Sequence, residues 1–226
     1  MCGRYSLIHK PDELKKRFHV QRIEGTLLPR YNAAPAQQLA LITNEQPRKI
    51  VLGEWGILPA WMQDAKTQRR LINARAETVQ DKAMFREPIR KRRCLIIADG
   101  FYEWAQVPSK KHKQPFYIQR KDQAPFAMAG LYNQKKDAKK RAYLEFAIIT
   151  VPANELLAHM HTRMPAMLLK KDEQTWLDVE RPLTDAIKLL RNYPATLMQA
   201  TPISLRVNNT NNDDPSVIAK VENVST

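Results

Sequence analysis

Residues 94–104 place the strongest constraint on the fold, because they read as two strands joined by a tight turn. Residues 94–98, Cys-Leu-Ile-Ile-Ala, form a continuous apolar run of strand length. Asp99-Gly100 is a common turn pair, and Phe-Tyr-Glu-Trp follows at residues 101–104 as a second strand. The segment predicts a β-hairpin, and therefore a domain that contains antiparallel sheet.

The rest of the chain supplies more short strands with helices between them. Strand patterns occupy residues 5–7, 39–43, 48–55, 115–120, 125–132 and 143–151, and helical patterns occupy 10–20, 152–160, 171–177 and 183–190. The 226 residues show no internal repeat and no regular βαβ alternation. We expect a single α+β domain around an antiparallel sheet or barrel. Residues 209–226 are rich in Asn and Asp and are expected to form a partly loose polar tail.

Charge gives the first indication of function. Lys and Arg total 37 against 23 Asp and Glu, which gives a formal net charge of +14. Such an excess suits a polyanionic partner, with nucleic acid first and acidic membrane surfaces second. A well-solvated basic surface is the alternative, and the densest basic run, residues 86–93, fits a nucleic-acid groove or a solvated face equally. No apolar run is long enough to predict a membrane span.

The few cysteines indicate a reducing compartment. Cys2 and Cys94 are the two in the chain and do not make a disulfide framework, so the cytoplasm is expected. The N-terminus lacks the apolar region of a secretory signal. The cysteines and histidines have no recognised metal-ligand spacing, and no phosphate-binding glycine loop is present. We therefore expect neither a metal nor another cofactor.

Cys2 directly follows the initiator Met1, and its small side chain favours removal of that methionine. Removal would place an α-amine and a thiol on one residue. Their reference pKa values, about 7.7–8.0 and about 8.5, leave both groups partly nucleophilic at neutral pH. The pair suits an aldehyde, because the amine condenses to a Schiff base and the thiol then closes a five-membered thiazolidine. A chance Met-Cys start is the alternative that these residues leave open.

Several segments together resemble the SOS response-associated peptidase (SRAP) family. They are Met1-Cys2-Gly3-Arg4, Tyr31-Asn32-Ala33-Ala34-Pro35, Trp55-Gly56 with Pro59 and Trp61, Asn73-Ala74-Arg75-Ala76-Glu77-Thr78, Asp99 to Trp104, Thr150, and His161-Thr162-Arg163-Met164-Pro165. The resemblance implies one α+β domain, residues 1–208, with an antiparallel β-barrel-like core flanked by helices. It also implies an enzyme that senses abasic sites in single-stranded DNA and forms a covalent crosslink through Cys2. The family name fits removal of Met1 as a peptidase activity.

The resemblance assigns four catalytic residues. Cys2 is the nucleophile, and Glu103 is the general acid or base, with a pKa that its aromatic neighbours would raise. Asn73 would hold the α-amine or the sugar, and His161 would hold a hydroxyl or phosphate and move a proton. Each has an ordinary alternative: an exposed strand position for Glu103, a turn for Asn73 and a structural contact beside Arg163 for His161.

The resemblance also implies a DNA-binding surface. Arg4, Arg75 and Arg163 are expected to bind phosphates through their guanidinium forks. Trp61 is expected to stack on a base beside the lesion, with plain core packing as its alternative. The expected partner is single-stranded DNA that contains abasic sites. The protein is expected to act as a monomer in the cytoplasm, on damaged DNA of the nucleoid.

Two other functions compete with the crosslinking enzyme. Cys2, His161 and Asn73 could form a Cys-His-Asn triad in an N-terminal-nucleophile cysteine peptidase. Against this, a peptidase needs a substrate cleft rather than a surface of charge +14. The third possibility is a non-catalytic module that binds single-stranded DNA, for which basic and aromatic residues suffice.

Overall fold

The computed structural model describes residues 2–59, 70–107 and 112–221. In chain order their strands are β1 Tyr5–Leu7, β2 Arg22–Ile23, β3 Arg30–Ala33, β4 Gln38–Thr43, β5 Lys49–Trp55, β6 Asn73–Arg75, β7 Arg93–Ala98, β8 Gly100–Ala105, β9 Gln114–Arg120, β10 Phe126–Lys136, β11 Ala142–Pro152, β12 Arg163–Pro165, β13 Met167–Leu168 and β14 Met198–Pro202. The α-helices are α1 Pro11–Phe18, α2 Ala83–Lys91, α3 Glu173–Leu177 and α4 Leu183–Lys188. Short 3₁₀ turns occur at Lys170–Asp172, Ala195–Leu197, Leu205–Asn208 and Pro215–Ile218.

Five strands close into a barrel at the centre of the molecule. Strands β11, β10, β7, β4 and β5 are neighbours in that order through antiparallel pairs, and β5 closes the ring by pairing with β11 in parallel. Every residue of β7 is buried, which explains why its sequence is a continuous apolar run. The predicted α+β fold with a barrel-like core is therefore confirmed.

A second sheet shares the main hydrophobic core with the barrel. Its order is β14-β9-β8-β1-β3, and all of its pairs are antiparallel. Tyr5 of β1 contacts Trp55 of the barrel, with ring centroids 5.2 Å apart, and Trp55 stacks on Phe146 at 6.3 Å. This aromatic group joins the two sheets directly beneath the N-terminal segment.

The predicted hairpin at residues 94–104 is wrong, although both strands exist. Strand β7 pairs with β4 and β10 in the barrel, whereas β8 pairs with β1 and β9 in the second sheet. Asp99 fixes the corner between them: Oδ2 accepts two backbone N–H groups, and Oδ1 lies 2.7 Å from His9 Nδ1. Gly100 serves close packing, because a Cβ atom there would overlap the Tyr117 ring. The chain thus passes from the barrel to the second sheet between β7 and β8, and the two strands do not pair.

The predicted helix at residues 152–160 is also wrong. Strand β11 continues to Pro152, and the residues that follow form turns. Asn154 directs the turns, because its Oδ1 accepts the Leu157 N–H at 3.2 Å and its Nδ2 donates to the Tyr193 carbonyl at 2.7 Å. A side chain that bonds to nearby backbone competes with helix hydrogen bonding. The predicted helix near residues 10–20, in contrast, is confirmed as α1.

The basic residues of the run at 86–93 divide between the surface and the core: Arg86, Arg90 and Lys91 are exposed on α2, whereas Arg93 is 1% exposed. Arg93 donates to the carbonyls of Trp176 through Nε, Ile89 at 3.0 Å and Asp178 at 2.6 Å, with a longer contact to that of Arg90 at 3.5 Å. Burial lowers the pKa of the Arg93 guanidinium. Arg93 therefore lies neither in a nucleic-acid groove nor on a solvated face, the two roles considered for this run. It connects β7 to the end of α3.

The C-terminal residues 209–221 pack against the fold. Asp213 Oδ1 accepts the N–H groups of Tyr31 and Asn32 at 2.6 and 2.8 Å, and Oδ2 lies 2.9 Å from Arg30 Nε. Asp213 therefore fixes part of this segment to β3, whereas Asn209, Thr210 and Asn211 are exposed, and the partly loose tail stays a prediction. The predicted domain boundary itself stays a prediction.

Candidate active site

The N-terminal segment is buried between strands β8 and β6. Cys2 has no exposed surface. The Arg4 carbonyl accepts the Tyr102 N–H at 3.1 Å, which continues the β1–β8 pairing towards the N-terminus, and Cys2 Sγ lies 3.8 Å from the same carbonyl. On the other side, Asn73 Nδ2 donates to the Cys2 carbonyl at 2.9 Å. Two elements far apart in the sequence therefore fix the position of Cys2.

Glu103 lies beside this segment because of the register of β8. Tyr5 is opposite Phe101, so Glu103 falls next to the residues that precede β1. It is 4% exposed, and the exposed strand position considered for it is wrong. Burial raises the pKa of its carboxyl. Burial also raises the pKa of the Cys2 thiol, and the nearby Glu103 charge raises it further, so the resting thiol is neutral.

Asn73 reaches Cys2 because two contacts hold its strand. Strand β6 pairs in parallel with β11, where Asn73 is opposite Ile148, and the preceding Ile72 carbonyl accepts the Trp55 indole N–H at 3.0 Å. The Asn73 amide donates to the Cys2 carbonyl rather than acting as a turn former. Its Oδ1 is buried and has no hydrogen-bond partner among the described residues. That oxygen is the atom able to accept from an amine or a sugar hydroxyl, which stays a prediction.

His161 lies two residues before Arg163. Burial lowers the pKa of its imidazole. Its Nδ1 accepts the Arg163 N–H at 2.9 Å, so the neutral ring carries its proton on Nε2. The structural contact beside Arg163 is therefore real, and it orients the ring. A donor role towards a sugar hydroxyl or phosphate stays a prediction.

Arg163 already has an anionic partner. Its guanidinium forms a two-pronged ion pair with Glu77, with N–O distances of 2.6 and 2.9 Å, and also donates to the Thr150 carbonyl. These hydrogen bonds lower the pKa of the Glu77 carboxyl. A phosphate would have to compete with Glu77 for the Arg163 guanidinium. The predicted phosphate contact of Arg163 stays a prediction.

The other predicted DNA contacts differ in their surroundings. Arg75 is exposed and makes no ion pair with any described residue, so its charge is available to a phosphate. Arg4 donates through Nη1 to Asn32 Oδ1 at 2.8 Å and to the Val207 carbonyl at 2.7 Å, which gives it an internal role. Trp61 lies outside the described residues. Phosphate binding and stacking by these residues stay predictions.

Asn32 is a functional candidate that sequence reasoning missed. It is fully buried next to Arg4, and its polar side chain bonds to groups of the C-terminal segment. The sequence signal was its place in the Tyr31 to Pro35 motif, which carries no indication of a partner about 180 residues away. Long-range hydrogen bonds of this kind are visible only in the folded chain.

Over residues 2–59, 70–107 and 112–221, no group of three His, Cys, Asp or Glu side chains could hold a metal ion. Within those ranges no helix has the length and apolar character needed to cross a membrane. The expected lack of a metal or other cofactor stays a prediction.

Comparison with known proteins gives consistent matches over the whole chain. A model of the family described as SOS response associated peptidase (SRAP) matches residues 1–210. The abasic site processing protein YoqW of Bacillus subtilis (strain 168) is 36% identical over 222 residues, which cover 96% of this chain and 99% of YoqW. The abasic site processing protein HMCES of Xenopus tropicalis is 28% identical, over 98% of this chain and 78% of its own length. A crystal structure of a protein from Bacteroides thetaiotaomicron superposes with a TM-score of 0.86 at 27% identity, covering 98% of this chain and 100% of that one.

Proposed function

Because the chain belongs to the SOS response-associated peptidase (SRAP) family, we propose that it processes abasic sites in DNA by covalent capture. Its relatives YoqW and HMCES are named for abasic site processing. The finer proposal is a thiazolidine crosslink between Cys2 and the lesion in single-stranded DNA, formed after Met1 is removed. The net charge of +14 supports an anionic strand as the partner.

One observation carries this proposal: Cys2 is held beside a buried carboxyl group. The Asn73 amide fixes the Cys2 carbonyl at 2.9 Å, and the Glu103 charge acts on the Cys2 thiol. An α-amine on Cys2 would then start the reaction next to a proton donor. A surface cysteine in a DNA-binding module would need none of these contacts.

Glu103 is suited to open the sugar ring. An abasic deoxyribose is mostly a closed hemiacetal, and opening it to the aldehyde requires a proton on the ring oxygen. Burial raises the Glu103 pKa, so a larger fraction of this carboxyl stays protonated near neutral pH than for an exposed glutamate. The imidazole of His161 can donate through Nε2 to a hydroxyl or phosphate while this happens.

The bond-forming steps need no further reagent. The neutral Cys2 amine attacks the aldehyde carbon, and loss of one water gives an imine. The thiol then adds across the C=N bond: sulfur bonds to carbon, and the thiol proton ends on nitrogen. The raised pKa of Cys2 fits this order, because a neutral S–H supplies both the sulfur and the proton. Glu103 would pass that proton.

We also propose the setting in which this chemistry occurs. The protein would act as a monomer in a reducing cytoplasm, on nucleoid DNA that carries lesions, since an oxidised Cys2 could not close the ring. Met1 would be removed before the reaction, by the chain itself or by a cellular aminopeptidase. The peptidase alternative would use Cys2, His161 and Asn73 on a peptide substrate.

The proposal is tested by intact-mass measurement after incubation with a single-stranded oligonucleotide that contains one abasic site. We expect protein that lacks Met1 to gain the mass of the oligonucleotide less one water, in a heat-stable adduct. An oligonucleotide with a tetrahydrofuran abasic analogue, which has no aldehyde, is the matched control and should bind without an adduct. Active protein that retains Met1, or a lack of adduct together with peptide turnover, would contradict the proposal.

Glu103→Gln should slow crosslinking by about 10²- to 10⁴-fold, because the amide cannot donate a carboxyl proton. In the wild type, the rate should rise with pH as the amine loses its proton and fall as Glu103 loses its own. The falling limb should lie above the usual glutamate range, because burial raises this pKa. The variant should lose that falling limb. Single-turnover rates from pH 5 to 9 provide the measurement, and an unchanged profile would remove Glu103 from the mechanism.

A further inference from the structure

We propose that Asn32 and Asp213 are positioning residues, which hold Arg4 and through it the reactive Cys2 terminus. Together with Arg4 and the backbone carbonyls of the C-terminal segment they form what we call the Asn32 network. The inference rests on the proposed function, because the position of Cys2 matters only if Cys2 reacts. Asp213 lies beyond residues 1–210, the part of the chain that the family model matches.

Asn32 is the centre of the network, and both the oxygen and the nitrogen of its side-chain amide are hydrogen bonded. Its Oδ1 accepts from Arg4 Nη1 at 2.8 Å. Its Nδ2 lies within 3.1 Å of three carbonyl oxygens, those of Val207, Asn209 and Asn212. The side chain has no exposed surface, so water does not replace these bonds when one is lost.

Arg4 transmits this arrangement to Cys2. Its guanidinium also donates to the carbonyls of Val207 and Asn208, at 2.7 and 3.4 Å. The Arg4 carbonyl accepts the Tyr102 N–H and lies next to Cys2 Sγ. The residue that anchors the C-terminal segment is thus two positions from the nucleophile, with one intervening glycine. If the Arg4 side chain were released, Gly3 would give the terminus freedom to move.

Asp213 holds the strand that carries Asn32. One carboxylate oxygen accepts the N–H groups of Tyr31 and Asn32, and the other pairs with Arg30 at 2.9 Å. An asparagine at this position has one carbonyl oxygen and one amide nitrogen. It would therefore lose either the two backbone hydrogen bonds or the ion pair with Arg30. The change is small in volume and specific to the network.

The neighbouring Asp214 provides a matched control. It accepts from Ser216 N–H at 2.9 Å and pairs with Arg206 at 3.3 Å, on the outside of the same segment. Asp214 makes no hydrogen bond to Asn32 or Arg4 within the described part of the chain. Asparagine also caps a helical turn well. Asp213→Asn and Asp214→Asn are therefore the same chemical change at adjacent positions. Only Asp213 contacts the Asn32 network.

The first experiment measures thiol labelling of full-length protein by iodoacetamide, without DNA. Cys2 and Cys94 are both fully buried, and Cys94 lies in barrel strand β7. We expect Asp213→Asn to raise the labelling rate of Cys2 several-fold and to leave that of Cys94 unchanged. Asp214→Asn should leave both unchanged. Labelling of both cysteines in step would indicate general destabilisation and overturn the positioning role, as would protection of Cys2 in both variants.

The second experiment measures crosslinking at saturating abasic oligonucleotide. We expect Asp213→Asn to lower the maximal rate by about 10- to 100-fold, because a displaced nucleophile loses its attack geometry. The concentration that gives half the maximal rate should change little, and Asp214→Asn should match the wild type. If the wild type forms no adduct, the proposed function fails. If it does, and Asp213→Asn reaches the wild-type maximal rate, the positioning role of the network alone is overturned.

Discussion

Cys2→Ser protein is expected to form no heat-stable adduct with an abasic oligonucleotide. The variant keeps the α-amine, so it still condenses with the aldehyde to an imine. It lacks the thiol that adds to the imine carbon and closes the ring. The imine should therefore hydrolyse on heating and survive only when borohydride reduces it, a difference that denaturing gels with and without reductant measure directly.

Two further variants define what this loss means. Cys2→Ala should behave like Cys2→Ser, because both keep an amine and lack the sulfur. Cys94→Ala should crosslink like the wild type, because that thiol is buried in β7 and Glu103 acts on Cys2 rather than on it. A heat-stable adduct in Cys2→Ala would refute the thiazolidine. Loss of the adduct in Cys94→Ala would show that the crosslink does not depend on Cys2 alone, against our assignment.

Arg93→Met is expected to lower the free energy of unfolding by at least about 3 kcal/mol, because each buried carbonyl left without a donor costs about 1–3 kcal/mol. The carbonyls concerned belong to Trp176, Ile89 and Asp178. Methionine fills the volume of the Arg93 stem, so the missing donors rather than a cavity determine the loss. Urea unfolding at constant slope is the measurement.

Arg90→Met is the matched control for Arg93→Met. Arg90 lies on the exposed side of α2, three residues before Arg93. The substitution should change stability by less than about 0.5 kcal/mol, as is usual for surface positions. If α2 faces the DNA, the Arg90 variant should also bind single strands with a weaker salt dependence. A stability loss of the same size in both variants would show that Arg93 does not support the core.

The strands of six or more residues could be predicted from the sequence, whereas shorter ones such as β6 and β12 were missed. Alternating and continuous apolar runs are local signals, and residues 39–43, 115–120 and 143–151 form strands as expected. The chemistry that we propose for the N-terminus was also suggested by the sequence, because removal of Met1 would place an amine and a thiol on one residue. Glu103, Asn73 and His161 entered as candidates through motif resemblance, because nothing in their neighbours defines a partner.

Only the tertiary structure decided which strands pair and which charges are internal. Asp99-Gly100 has the composition of a hairpin turn. The Asp99 carboxylate instead bonds to the backbone and imidazole of His9, and the chain passes at this corner into the second sheet. Arg93 looks like its basic neighbours, yet its guanidinium satisfies carbonyls inside the core. Asn73 meets the Cys2 carbonyl because parallel pairing of β6 with β11 brings it there. The physical reason is common to all three. A polar side chain in a folded interior bonds to the partner that packing brings near, and that partner cannot be predicted from the neighbouring sequence.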